Sequence, residues 1–405
     1  MTARIMTYAS TPFVSKLSAR YNYSSLICTG GVILFTSLFL STFTSKLWQL
    51  ALTYGALVGI SAALIMTPGL LAISLYFKKR RALAISMYFT IGGASGLVIP
   101  LLFEILLNNY QLGGAFLIYS AMSLNIVPFG ILIRQPNWMT PRQRNLTSIS
   151  ESEIEQNGIE AKKNVTSATK KMLLTMVSNT RNDLHIFKDP VFLVLLISRV
   201  LIMMPVLNII QFIPDFVDKD LPLGLNKMAI AVLLSVTSIG DTCARILTGT
   251  IIDKLPWPMK YTFAVLAAGI GGLIIGFVMV RSYALLLALH IIFGLLLGII
   301  IVMQHILEGD LMGVEKTPLS HGITQLLAGL ASVVMMYLVG YFRDVTGSYK
   351  IGFYLMGLSA ILAGGIWLLE PCFVRCLPPR IRPTKSIDKF PEAEIVDAIY
   401  DRILR

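Results

Sequence analysis

The stretch that decides the fold is MAIAVLLSVTSIGDTCARILTGTIID, residues 228–253. It is apolar and longer than the about 20 residues that cross a bilayer, yet Asp241 and Arg245 stand in its middle. A charge at the bilayer centre costs about 2.5–3.5 kcal/mol on insertion scales, and such residues usually face a cavity or a partner rather than lipid. The two residues are four apart, so they share one helical face. One bland reading is an ion pair that lowers its own insertion cost. The sharper one is a substrate or proton site in a polar interior shared by several spans.

The rest of the chain agrees with a membrane setting. Of its 405 residues, 55% are hydrophobic and 14% charged, against about 25% charged in soluble domains. Ten apolar runs read as spans: 24–44, 48–76, 82–107, 112–134, 189–213, 228–251, 258–280, 283–307, 318–341 and 349–371. The first 15 residues are too polar for a full span and lack the layout of a signal peptide. An all-α polytopic membrane protein is expected. It divides into an N-terminal bundle at 1–134, a linker at 135–188, a six-helix bundle at 189–372 and a tail at 373–405. The linker holds SISESEIEQNGIEAKKNVTSATKK, which is polar, mixed in charge and has little to bury.

The net charge of +12 would suggest nucleic acid in a soluble protein. Here it follows membrane topology instead. With the 135–188 segment placed in the cytoplasm, 25 of the 34 lysines and arginines fall on the inside and six on the outside. That asymmetry orients the chain, with the tail cytoplasmic and no nucleic-acid partner implied. The sequons at Asn22, Asn145 and Asn164 then face the cytoplasm, where they are not glycosylated.

Other features carry two readings each. In YFKKRRALA, residues 76–84, the cations Lys78, Lys79, Arg80 and Arg81 anchor a span end to lipid headgroups, and the same residues could gate the cytoplasmic face. The pairs Gly55 with Gly59, Gly92 with Gly96, and Gly294 with Gly298 have the spacing that lets membrane helices approach closely. Gly269, Gly271 and Gly272 lie inside a span with no strand before them, so they are not a nucleotide loop. Cys28, Cys243, Cys372 and Cys376 form no metal or disulfide framework, and the last two, just past the final span, are open to reversible acylation. There is no nucleophile–base set and no metal-ligand cluster, so neither an enzyme nor a cofactor is expected.

Among charged and titratable residues within spans, Glu104 lies near the outer end of its helix and His290 about a third of the way in, while Arg199 is near mid-depth. Ionised Asp241 would hold Arg245 and compete with any anion. Protonating it would free the guanidinium to take a carboxylate through two parallel hydrogen bonds. One proton and one monoanion would then travel together, with Arg199 as a second cationic contact.

Four motifs, in order, carry a family resemblance covering about residues 12–371. YFKKRRALA matches YF-x-KRR-x-LA, and Asp241 with Arg245 matches Asp-x-x-x-Arg. Asp310 and Gly313 match D-L-x-G, and FRDVTGSY, residues 342–349, matches D-x-TG-x-Y. With these motifs the chain resembles the monocarboxylate transporters of the major facilitator superfamily. The resemblance implies two helical bundles around a central cavity, alternating access, a plasma-membrane location and small monocarboxylate cargo, often with a proton. It implies that Arg245 anchors the carboxylate and Asp241 couples the proton. Some members need a single-span ancillary glycoprotein, and others carry aromatic amino acids or thyroid hormones without a proton.

There are departures. The family's first-span glycine–tryptophan signature and substrate-binding lysine are absent, and RIMTYASTPFVSKLSARY looks like the end of its second span. The glycines expected after KRR-x-LA are Ser86 and Ile91, and the family's Gly-Pro-Pro is replaced at VVMMYLVG. A divergent or N-terminally shortened member is expected, its first bundle lacking the first span and part of the second. The alternative function is a transport-incompetent membrane protein acting through a partner.

Overall fold

A computed structural model describes residues 2–18, 21–44, 46–77, 80–133, 184–221, 223–252 and 258–376. Lys78 and Lys79, nearly all of the 135–188 linker and most of the tail lie outside these residues, as do the side chains of Glu104, Cys372 and Cys376. The described residues are helical almost throughout. In chain order the helices are α1 (Thr2–Ser18), α2 (Tyr23–Ser41), α3 (Leu47–Tyr76), α4 (Arg81–Ser123), α5 (Ile126–Leu132), α6 (Pro190–Lys219), α7 (Lys227–Ile252), α8 (Met259–Phe277), α9 (Tyr283–Thr346) and α10 (Lys350–Cys376). Among the described residues nine stretches are long and apolar enough to cross a membrane. The expected span at 82–107 is helical throughout but is not counted separately among them. The polar start of the chain also folds as a helix, α1.

Local chemistry sets the helix ends. Asp189 caps α6, its carboxylate accepting from the Val191 amide at 3.1 Å, and Pro190 takes the first turn, where its missing N–H costs nothing. Ser282 caps α9 through the Leu285 amide at 3.3 Å. Gly347 ends α9 in the left-handed conformation at φ 71°, with its N–H on the Arg343 carbonyl at 2.8 Å. The next residues of the same motif tie down the following turn. The Tyr349 amide donates to Asp220 at 2.5 Å, and its hydroxyl to Asp215 at 3.0 Å.

Two of these helices are really pairs of arms. α4 breaks at Gln111 (φ 59°, ψ −178°) and α9 at Gly313 (φ 71°, ψ 165°). Both lie in a backbone region that is essentially glycine-only. Beyond Gly313 the chain folds back on itself. Glu308 touches Ser320, 12 residues on, whereas a straight helix would separate them by about 18 Å. The glycine of the D-L-x-G motif is thus the hinge that brings the arms Tyr283–Gly313 and Lys316–Thr346 together.

The distribution of polarity is that of a protein in lipid. Ile91, Val265 and Tyr337 are 73%, 73% and 77% exposed, while Arg199, Glu308, His290 and His321 are buried. One set of helices is α1–α5, with α2 packed on α3, α4 and α5; the other is α6–α10, with α10 packed on α6 and α8, and α7 on α9. In the second set Phe353, Met356, Ala360, Ala363 and Trp367 place one fully buried stripe of α10 toward the core. The Trp367 indole donates to Ser198 at 2.8 Å, and Ser198 donates to the Ala363 carbonyl at 2.8 Å. The two sets meet where α1 packs on α9 and where α4 packs on α7.

Close glycine contacts fix the crossing that positions Asp241. A Cβ at Gly298 would collide with the Asp241 backbone carbonyl and sit 2.8 Å from the Ala244 side chain, and one at Gly294 would strike the Thr237 carbonyl. The Gly55 and Gly59 pair similarly admits α1. Gly92 differs from expectation: nothing lies within 4 Å of its Cβ position, so it faces open space and is not a packing contact.

Replacing Gly313 with alanine forces a Cβ into this strained backbone region and should cost about 1–3 kcal/mol. The check is the thermal unfolding midpoint of detergent-purified protein. An unchanged midpoint would contradict the hinge assignment.

Candidate transport site

Asp241 and Arg245 form the closed pair that their spacing anticipates. Arg245 Nε donates to Asp241 Oδ1 at 2.9 Å and Nη2 meets Oδ2 at 2.8 Å, a two-point contact along one edge of the guanidinium. The side chains are 13% and 11% exposed, so the pair is shielded but not sealed. Arg245 also reaches across to α4. Its Nη1 donates to the Phe89 carbonyl at 2.9 Å, and the Ser86 hydroxyl donates to the Arg245 carbonyl. The charge pair is therefore anchored on both sets of helices.

Arg199 lies in the first half of α6. It is only 1% exposed and forms an ion pair with Glu308 on the first arm of α9. The Glu308 carboxylate also accepts from Ser320 at 2.8 Å and Thr324 at 3.2 Å, and it meets His321 Nδ1 at 3.2 Å. Arg199 Nη2 contacts His305 Nε2 at 3.1 Å. Sequence reasoning singled out Arg199 but not Glu308, His305 or His321. Apolar length ends the span at residue 307 and leaves Glu308 in a loop, whereas the helix runs on to the Gly313 break. The available signal was the spacing of His305 and Glu308, three apart on one helical face.

The two clusters are joined by one residue. The Phe89 carbonyl holds Arg245, while the Phe89 ring lies against the His305 ring, with centroids 4.4 Å apart. Nearby, Arg81 of the basic motif pairs with Asp310 of the D-L-x-G motif at 3.5 Å, so two sequence signatures distant in the chain are contact partners. His290 stands apart from these contacts. Its Nδ1 meets the Leu286 carbonyl at 2.8 Å and its ring stacks on Phe277.

A helical membrane fold with buried charge clusters at the seam between two helix sets is the architecture of a transporter. The Major Facilitator Superfamily model matches residues 5–328, and the chain belongs to that superfamily. It is a multi-pass membrane transporter, not an enzyme. Among curated relatives it is similar to monocarboxylate transporter 13 of Rattus norvegicus, 26% identical over 95% of this chain and 82% of the relative. It is also similar to monocarboxylate transporter 2 of Homo sapiens, 27% identical over 89% and 74%. Solved structures share the fold at low identity. An E. coli fucose:proton symporter has a TM-score of 0.66 at 11% identity, over 91% of this chain and 89% of the other. A proton:xylose symporter bound to 6-bromo-6-deoxy-D-glucose has 0.66 at 16%, over 92% and 84%.

Removing one partner of the Arg199–Glu308 pair leaves the other charge buried and uncompensated, which should cost about 3–5 kcal/mol. Glu308→Gln should therefore lower the unfolding midpoint, and Arg199→Met combined with Glu308→Met should recover most of the loss. Equal midpoints for Glu308→Gln and wild type would refute a buried ion pair.

Proposed function

We propose that this chain is a secondary active carrier of small organic monoanions of the monocarboxylate kind, moved together with a proton by alternating access. One observation carries the reading. Both carboxylate oxygens of Asp241 occupy the Nε–Nη2 edge of Arg245, a fork of the kind that grips a substrate carboxylate, while Nη1 is engaged by the Phe89 carbonyl. Internal and external carboxylates therefore compete for one fork. Protonating Asp241 removes its charge and its two-point grip, and the vacated edge then accepts a substrate carboxylate. Proton and anion enter together and the net charge of the site is unchanged. The names of the relatives support the substrate class, and two solved structures of the same fold are proton symporters.

In this reading the bundles 1–134 and 189–372 rock about the site, with the 135–188 linker and the 373–405 tail in the cytoplasm and the carrier at the plasma membrane. The contacts between α4 and the second set of helices act as the cytoplasmic gate: Arg81 with Asp310, Ser86 with the Arg245 carbonyl, and Arg245 with the Phe89 carbonyl. Opening toward the cytoplasm breaks all three. The Phe89 contact is lost as α4 leaves α7, so substrate release and gate opening are mechanically linked. Lys78 and Lys79, with Arg80, add positive charge on the same side, where they meet anionic headgroups.

The test is uptake of radiolabelled L-lactate into proteoliposomes holding the purified chain. Wild-type influx should rise with an inward proton gradient. Arg245→Ala should cut uptake by about 10- to 100-fold, the worth of a lost charge-assisted contact. Asp241→Asn should keep lactate counterflow but lose the response to the gradient. Undiminished uptake by Arg245→Ala would overturn the assignment of the anion site.

A further inference from the structure

The Glu308 cluster is not used by the mechanism above, and its hydrogen-bond logic assigns it a role. Oε1 accepts from Ser320 and Thr324, and Oε2 faces both Arg199 Nη1 and His321 Nδ1. A carboxylate ringed by donors is acceptor-only, so His321 donates through Nδ1, and the neutral ring leaves Nε2 without a proton. A proton arriving at Nε2 leaves the Nδ1 contact with Glu308 in place. It converts the His321–Glu308 contact into a charge-assisted one.

His305 has the opposite wiring. Its Nδ1 lies 2.8 Å from the Ile301 carbonyl, and its Nε2 faces Arg199 Nη2. A carbonyl can only accept, so the neutral ring donates through Nδ1 and presents a bare Nε2 to the guanidinium. A proton on His305 would have to displace Arg199. Of the two histidines, only His321 can take a proton without its own ring giving up a contact in the cluster.

Arg199 and His321 contact the same oxygen, Oε2. A charged His321 therefore competes directly with Arg199 for Glu308. Arg199 also has unused capacity, since its Nε is buried without a partner, and one turn before Glu308 both amide atoms of Gln304 are buried and unpartnered. Among the described residues, the charged and titratable groups around the cluster are Arg199 from α6, His305, Glu308 and Asp310 from the first arm of α9, Arg81 from α4, which pairs with Asp310, and Tyr8 from α1.

We propose that His321 is a second proton acceptor of this carrier, and that its proton loosens Arg199 from Glu308 so that the guanidinium can engage an anion. His321 gains the proton at Nε2, and nothing else changes covalently. The transport consequence rests on the proton-linked anion-carrier reading; the protonation itself does not.

Two measurements on the full chain separate these. The protein has four histidines, so 15N-histidine NMR in nanodiscs resolves each ring, with signals assigned by single His→Gln variants. The signal absent from His321→Gln should change from the neutral Nδ1–H form to the doubly protonated form on acidification. The His305 signal should stay neutral under the same conditions. In proteoliposomes, His321→Gln should retain lactate counterflow while its acceleration by an inward proton gradient falls about fivefold or more, the low end of ordinary coupling between sites. A His321 ring that stays neutral at the acid end overturns the proposal, as does an undiminished gradient response in His321→Gln. If the wild type moves no lactate, the cargo reading fails while the NMR result still decides the protonation of His321.

Discussion

An ionised side chain removed from water must meet its countercharge and fill its hydrogen bonds, and the interior of this protein is arranged around that constraint. Arg199 and Glu308 meet their countercharges between α6 and α9, Asp241 and Arg245 within α7, although Arg199 Nε is left buried without a partner. Neither pair is self-sufficient. Glu308 needs hydroxyls from beyond the Gly313 break, and Arg245 needs a carbonyl from α4. Each unmet hydrogen bond recruits another element, so the charges specify which helices must be neighbours. Apolar contact in lipid cannot supply that specificity, because the surrounding tails are as apolar as the side chains.

The seam between the two helix sets has a different character from the core of either. The interior of the second set is a continuous apolar cluster that also takes in Leu70, Ala82 and Ile85 of the first set. Where α4 meets α7, polar atoms and close backbone approach are added to it. A Cβ at Gly249 would lie 2.6 Å from the Ser86 side chain and 2.7 Å from the Leu83 Cα. Packing this close is strong while intact and weakens sharply over a small displacement, since dispersion falls off steeply with distance. That is the behaviour the proposed alternating access asks of a seam, and it contrasts with the apolar stacking of Phe353 on Phe216 inside the second set.

Much of this was legible in the sequence, for identifiable reasons. The spans follow from apolar length, and the Asp241–Arg245 pair from a four-residue spacing that any helix converts into contact. The family motifs were legible as signatures but not as partners. That Arg81 meets Asp310, or that Tyr349 closes onto Asp215 and Asp220, depends on how distant helices are brought together. The Arg199–Glu308 pair joins residues 109 apart and could not be read from local pattern. Glu308 was missed for a more specific reason: apolar periodicity fades near residue 307, while the backbone stays helical until Gly313 permits the reversal. Hydropathy marks where lipid ends, not where a helix does.

Phe89 serves the two charge clusters through different parts of itself. Arg245 is held by its backbone carbonyl, and His305 is met by its ring. The first contact is blind to the side chain, because every residue type presents the same carbonyl. Exchange of the ring therefore changes what is felt at His305 and leaves the Arg245 anchor in place. Position 89 is a point where the contact between the clusters can change with the ring while Arg245 keeps its orientation.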